Sequence, residues 1–199
     1  MTITFGNGKG GTGKTTMCLC VAMALRQAGK RVGISDRDPQ GSMAIESVPR
    51  IATEQGPFLF DPSAGHKPED FDYLLLDTRP DLASPETREA FAAADKIIVV
   101  STPAPFDIMT SRRTATLVAE LCPGKTAALL FNMVHANTIL GRELDALAKA
   151  TGLTPLFNNV RHRQCYQRAT MLGWHELEKT KGQRATEEIM AVTLDILKL

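Results

Sequence analysis

The stretch Gly8-Lys9-Gly10-Gly11-Thr12-Gly13-Lys14-Thr15-Thr16 constrains this chain more than any other. It fits the phosphate-loop pattern G-x-x-x-x-G-K-[ST], in which glycines let backbone N–H groups curl around a polyphosphate. Lys14 supplies a point charge for the β- and γ-phosphates, and the Thr15 hydroxyl suits a magnesium ion. Thr2-Ile3-Thr4-Phe5 reads as a strand and 16–27 as a helix. That order points a helix N-terminus at the anion. Gly10, Gly11, Thr12, Gly13, Lys14, Thr15 and Thr16 are therefore expected to line a nucleoside triphosphate site.

Strand-like and helix-like segments alternate along the chain. Strands are expected at 31–36, Phe58-Leu59-Phe60, 73–77, 96–101, 126–132 and 153–157. Helices are expected at 85–94, 107–121, 138–150, 162–172 and 183–198. Residues 47–70 are rich in proline and glycine, with Phe58-Leu59-Phe60 the single strand-like piece. The pattern is that of an α/β fold: a doubly wound, mostly parallel sheet with helices on both faces. Ligands of such sheets sit at the carboxyl ends of the strands. At 199 residues the chain is expected to form one domain, 1–199, burying roughly 70% of its unfolded surface.

An extra lysine, Lys9, directly follows the first loop glycine. With it, Lys9-Gly10-Gly11-Thr12-Gly13-Lys14-Thr15 resembles the deviant Walker A box of the ParA/MinD family of dimeric ATPases. The resemblance spans nearly the whole chain and is strongest at 2–43, 71–80, 96–107 and 158–192. The compact length looks like the small plasmid-partition ATPases of the ParF type, although 44–70 is shorter than the family norm. Membership implies ATP and Mg²⁺ as cofactors, hydrolysis to ADP and phosphate, and an ATP-sandwich homodimer. In such a dimer Lys9 reaches the partner subunit's nucleotide and acts like an arginine finger.

The strand ends carry the other candidates. Asp36-Arg37-Asp38-Pro39-Gln40 resembles the family's D-x-D-P-Q switch. By that resemblance Asp38 positions or activates the hydrolytic water and Asp36 supports Mg²⁺. Tyr73-Leu74-Leu75-Leu76-Asp77 is a buried strand ending in a carboxylate, as expected of a Walker B element, with Asp77 holding Mg²⁺. Thr78-Arg79-Pro80 departs from the family by placing an arginine after that aspartate. Arg79 is open to the nucleotide, a partner subunit or solvent. Pro103 and Pro105 resemble a proline-rich ParF-type segment that shapes the switch and dimer surface. Asn132 matches a family asparagine whose amide reads adenine, a task suited to a group that both donates and accepts.

Lys and Arg total 23 against 22 Asp and Glu, a net charge of +1, so no global field announces a nucleic-acid partner. Locally, Arg161, Arg163, Arg168, Lys179, Lys181 and Arg184 stand against Glu176 and Glu178. Such a cluster suits non-specific binding of double-stranded DNA through its phosphates. The run Arg161-His162-Arg163-Gln164-Cys165-Tyr166 also resembles its ParF-type counterpart. Cys18, Cys20, Cys122 and Cys165 form no C-x-x-C pair and fit buried thiols in a reducing cytoplasm. The first strand begins at once, with no charged-then-apolar leader, and the apolar runs are too short to span a bilayer.

These features together imply a ParA-like ATPase that segregates or positions DNA or another large cargo. It would dimerise on ATP, bind DNA non-specifically on a bacterial nucleoid, and be reset when a cargo-bound adaptor protein stimulates hydrolysis. A MinD-like division-site regulator cycling on membrane is the second class. It is disfavoured because the tail 187–199 offers only Lys198 as a basic polar face. An ATP-dependent metabolic ligase is the third, and no segment of sufficient size is available for a substrate pocket.

Overall fold

A computed structural model describes residues 1–38, 58–179 and 183–199. The Pro39-Gln40-Gly41 turn, much of the short 44–70 stretch, and Lys181 lie outside the described residues. The strands are β1 (Thr2–Gly6), β2 (Val32–Asp36), β3 (Phe58–Leu59), β4 (Tyr73–Asp77), β5 (Lys96–Ser101), β6 (Thr126–Phe131) and β7 (Thr154–Pro155). The helices are α1 (Lys14–Gln27), α2 (Pro85–Ala93), α3 (Pro105–Leu121), α4 (Ile139–Arg142), α5 (Leu144–Thr151), α6 (Gln164–Leu172), α7 (His175–Glu178) and α8 (Gln183–Lys198).

All strand pairings are parallel, in the order β3-β2-β4-β1-β5-β6-β7. The chain leaves β1 toward one edge and later returns to β5 on its other side. β1 therefore stands at the switch point, where a crevice opens above the strand carboxyl ends. Its pairing with β4 sets Phe5 beside Asp77, and the β2–β4 register sets Asp36 beside Asp77.

Side chains of neighbouring strand residues leave on opposite faces, and the core follows that period of two. Ile98, Val100 and Leu130 enter one cluster, with α1, α6 and α8. Ile97, Val99, Leu129 and Phe131 enter another, with α2, α3 and α5. Helix α1 is buried on nearly every side from Met17 to Leu25, so it is the central helix of its layer. Cys18 and Cys20 are both fully buried there. The stripe Ala185, Ile189, Val192 and Ile196 buries α8 in the α1 cluster, and Lys96 Nζ donates to the carbonyls of Ile196 and Leu197 at 3.0 and 2.8 Å. That apolar face is a packing surface. Among the described residues, no helix is long and apolar enough to cross a membrane.

Several boundaries differ from the sequence expectation. The 138–150 helix is two pieces that meet at Glu143. Thr138 caps the first piece by accepting from the Gly141 N–H, and a Cβ at Gly141 would lie 2.1 Å from the His135 carbonyl oxygen. The 153–157 strand shrinks to Thr154–Pro155, where proline has no N–H to extend the ladder. Helix α1 begins at Lys14, two residues early, because Gly13 takes the left-handed N-cap conformation. Helix α3 likewise begins at Pro105, a residue suited to the first helical turn.

Candidate functional site

The loop between β1 and α1 lies above the switch point. Gly11 and Gly13 adopt φ of +79° and +89°, a region costly for residues with a Cβ. At Gly13 a Cβ would also stand 2.2 Å from Asn132 Nδ2. The N-cap of α1 carries no side-chain cap and its first turn has no acidic residue. Its N–H groups and the positive end of the helix dipole are thus left for an exogenous anion.

A cleft of about 360 Å³ borders this helix end, lined by Gly10, Gly13, Lys14, Thr15, Thr16 and Asp38 among others. Lys14 Nζ donates to the Lys9 carbonyl oxygen at 2.8 Å. Burial lowers the Lys14 pKa, and the charges of Asp77 and Asp38 oppose that shift. The Thr15 hydroxyl donates to Asp77 Oδ2 at 2.5 Å. Asp77 is 1% exposed, and its other oxygen, Oδ1, has no partner among the described residues. Burial pushes its pKa up to about 7; the Thr15 hydrogen bond pulls it back, and the negative charge of Asp36 raises it further.

A buried, half-satisfied carboxylate beside a threonine hydroxyl and a second strand-end carboxylate is an oxygen donor set suited to Mg²⁺. Asp38 extends this edge into the cleft. Its N–H donates to Asp36 Oδ1 at 2.8 Å, and the Arg37 N–H donates to the Asp77 carbonyl at 2.8 Å, fastening the chain after β2 to β4. The structure therefore brings together Lys14, Thr15, Asp36, Asp38 and Asp77.

Other expected residues are placed differently. Thr12 is fully buried, and its hydroxyl has no partner among the described residues. Asn132 is 2% exposed and braces the loop: Nδ2 donates to the Thr12 carbonyl at 2.8 Å, and Oδ1 accepts from the Met133 N–H at 2.9 Å. Its amide is engaged by protein on both sides. Arg79 is half-buried, next to Pro80 at the cleft wall. Lys9 is exposed and lies across a second depression, of about 380 Å³, from Phe106, Met109, Thr110 and Arg113. Phe106 and Met109 are 78% and 57% exposed, large apolar groups facing solvent at the end of the segment that holds Pro103 and Pro105.

The basic run is divided. Arg161 and Arg163 border a small pocket, about 20 Å³, against Thr16, Asn132 and Met133. Arg163 pairs with Glu188 at 3.2 Å, and Glu188 also accepts from Tyr166 and from the Arg161 N–H. Arg168 pairs with Glu176 at 2.8 Å, and Lys179 with the same carboxylate. Arg184 is exposed. The sequence count set only Glu176 and Glu178 against this cluster. Glu188 lies outside the run and joins it only through tertiary packing. Asn7, Ser111 and Thr114, which hold the loop start, were also missed; Ser111 and Thr114 stand at helical spacing, but nothing in the sequence places them beside the loop.

An anion-ready helix end, a buried lysine and strand-end carboxylates at a switch point define a phosphate-loop nucleotide-binding protein. The model of the CobQ/CobB/MinD/ParA nucleotide-binding domain (CbiA) matches residues 3–173. This chain belongs to that family, whose ParA and MinD members are ATPases. It is 27% identical to maintenance of carboxysome distribution protein A from Halothiobacillus neapolitanus, over 98% of this chain and 96% of the relative. It is 27% identical to the chromosome-partitioning ATPase Soj from Thermus thermophilus, over 74% of this chain and 75% of that one. The ATP complex of a Cyanothece McdA variant superposes with a TM-score of 0.76 at 17% identity, covering 100% of this chain and 96% of that chain.

Proposed function

We propose that this chain hydrolyses ATP to ADP and phosphate and uses the cycle to position or segregate a large cargo. One observation carries the proposal: Lys14 and Thr15 stand at an uncapped helix end over the half-satisfied Asp77, while Lys9 is exposed beside an apolar face. The loop N–H groups and Lys14 bind the phosphates. Thr15, Asp36 and Asp77 hold Mg²⁺, which when bound neutralises charge on the β- and γ-phosphates. Asp38, at the cleft wall, orients the attacking water. Asn132 fixes the loop from below and keeps adenine within reach of its spare donor and acceptor capacity.

ATP joins two copies of the chain. Lys9 reaches the partner's phosphates, and Phe106 and Met109 are buried by that partner, which accounts for two large apolar side chains in solvent beside the loop. The dimer holds double-stranded DNA through phosphate contacts. Arg161 and Arg184 serve directly, while Arg168 and Lys179 contribute from a pair of ion bridges more than half exposed on the basic side. A cargo-bound adaptor stimulates hydrolysis and frees the dimer. ATP must favour the dimer over the monomer for any of this to switch. The near full-length similarity to a carboxysome distribution protein supports a protein assembly as cargo, and the similarity to Soj over three quarters of each chain supports DNA. The proposed setting is a bacterial cytoplasm, on the nucleoid.

The test is phosphate release from ATP with and without Mg²⁺, for the natural chain and Lys14→Ala. Turnover that requires both Mg²⁺ and Lys14 supports the proposal. Release that ignores the substitution would mean that the loop is not the reaction site.

A further inference from the structure

Asn7 immediately precedes the first loop glycine and is fully buried. Its Nδ2 donates to the Val100 carbonyl at 2.8 Å and to Ser111 Oγ at 2.9 Å. Its Oδ1 accepts from the Lys9 N–H at 3.1 Å, and the single Thr114 hydroxyl proton lies between Asn7 Oδ1 at 3.3 Å and the Thr110 carbonyl at 3.0 Å. Thr114 Oγ1 in turn accepts from the Gly8 N–H at 3.2 Å. The first two N–H groups of the loop are therefore held by Asn7 and α3. Packing also holds the loop start against this helix, because a Cβ on Gly8 would stand 2.8 Å from Leu82 and 3.2 Å from the methyl of Thr110, one turn before Thr114.

Ser111 and Thr114 share one face of α3, three residues apart. Ser111 also ties back along the helix, donating to the Asp107 carbonyl at 2.8 Å. The other side of the same helix turns presents Phe106, Met109 and Arg113 toward Lys9. One helix thus grips the start of the phosphate loop from within and carries the exposed apolar face outside. Buried amides and hydroxyls cannot be left unpaired without a penalty, so loop and helix must move together or break the network.

We infer that Asn7 and Thr114 are positioning residues that lock the start of the phosphate loop to α3, so that nucleotide in the loop shifts the Phe106–Met109 face. This rests on the proposed nucleotide site and dimer surface. Neither residue touches the nucleotide; both act through Gly8, Lys9 and α3.

The experiment places a trifluoromethyl label on Met109→Cys in a Cys165→Ser background and follows it by fluorine NMR while the chain is saturated with ADP and Mg²⁺. ADP is chosen so that the label reports on a single chain. Thr114→Val removes the hydroxyl at nearly equal volume, and Thr114→Ser retains it. The expected result is a shifted resonance in the parent and in Thr114→Ser, and none in Thr114→Val, although all three bind fluorescent ADP within about threefold of one another. A shift in Thr114→Val equal to the parent's, or no shift in the saturated parent, overturns the inference. Should Thr114→Val fail to fold, Ser111→Ala, which removes one partner of Asn7, is held to the same two outcomes. Sedimentation of the parent with a non-hydrolysable ATP analogue is scored separately: a nucleotide-dependent shift without a dimer sinks the dimer surface and leaves the coupling standing.

Discussion

The Thr15 hydroxyl donates to Asp77 Oδ2 at 2.5 Å, while Oδ1 of the same buried carboxylate has no partner among the described residues. This pair joins the first turn of α1 to the end of β4 and leaves one oxygen unspoken for at the place where a divalent ion is proposed. Burial raises the Asp77 pKa from 3.8 to about 7. Between these values the folded chain holds a proton that the unfolded chain releases. The contribution of Asp77 to stability without ligand is therefore greatest at low pH and falls as pH rises toward 7. Asp77→Asn removes that slope and melts higher than the natural chain at pH 8 in the absence of nucleotide, with a gain of at most about 4 kcal/mol. It also loses the Mg²⁺-dependent part of nucleotide affinity. Melting curves from pH 5 to 8, with equal slopes for both proteins, would contradict this.

Lys9 and Lys14 have separable roles. Lys14 is buried and bonded to the Lys9 carbonyl, whereas the Lys9 side chain is exposed beside Phe106. Lys9→Ala is expected to keep nucleotide affinity and to lose turnover by roughly 10³-fold, the scale of a charge supplied in trans. Single-turnover hydrolysis and fluorescent-nucleotide titration measure the two quantities. Undiminished turnover would remove Lys9 from the reaction.

Thr12 holds a fully buried hydroxyl with no partner among the described residues. Valine has the same shape without that group. Thr12→Val is expected to raise stability by about 1 kcal/mol, since an unpaired buried hydroxyl carries a desolvation penalty. Denaturant unfolding checks this, and a loss of stability would show that the hydroxyl has a partner in solution.

The charge pairs sort the basic residues by consequence. Arg163 is bonded to Glu188 within a network that includes Tyr166, so Arg163→Ala should cost stability as well as any DNA affinity. Arg161→Ala and Arg184→Ala should leave the melting temperature alone and lower the salt slope of DNA binding by about 1 each. Salt titrations of DNA affinity measure it. Unchanged slopes in both variants would move the DNA surface elsewhere.

Much of this architecture was legible in residue order. The apolar runs in Tyr73–Asp77 and Lys96–Ser101 announced buried strands, and the loop between Gly8 and Thr16 announced both its neighbours. Asp36 and Asp77 were legible as strand-end carboxylates, and their adjacency followed once β2 and β4 paired. What stayed hidden depends on contacts distant in sequence. The bracing of the loop by Asn132, for which Gly13 leaves room, joins residues 120 apart. Asn7 reaches Thr114 across 107 residues. Glu188 reaches back 25 residues to Arg163, turning part of a basic surface into an internal ion pair. The break at Glu143 was hidden because glutamate is itself a good helix former, although its φ and ψ here are −106° and 26°.

The central claim is that ATP converts this chain into a DNA-binding dimer. Sedimentation with Mg²⁺ tests it most directly, run without nucleotide, with ADP, and with a non-hydrolysable ATP analogue, each with and without random-sequence DNA. Dimers that form only with the analogue, and that alone co-sediment with DNA in a salt-sensitive manner, are the predicted result. An oligomeric state indifferent to nucleotide, with no DNA bound in any condition, would contradict it.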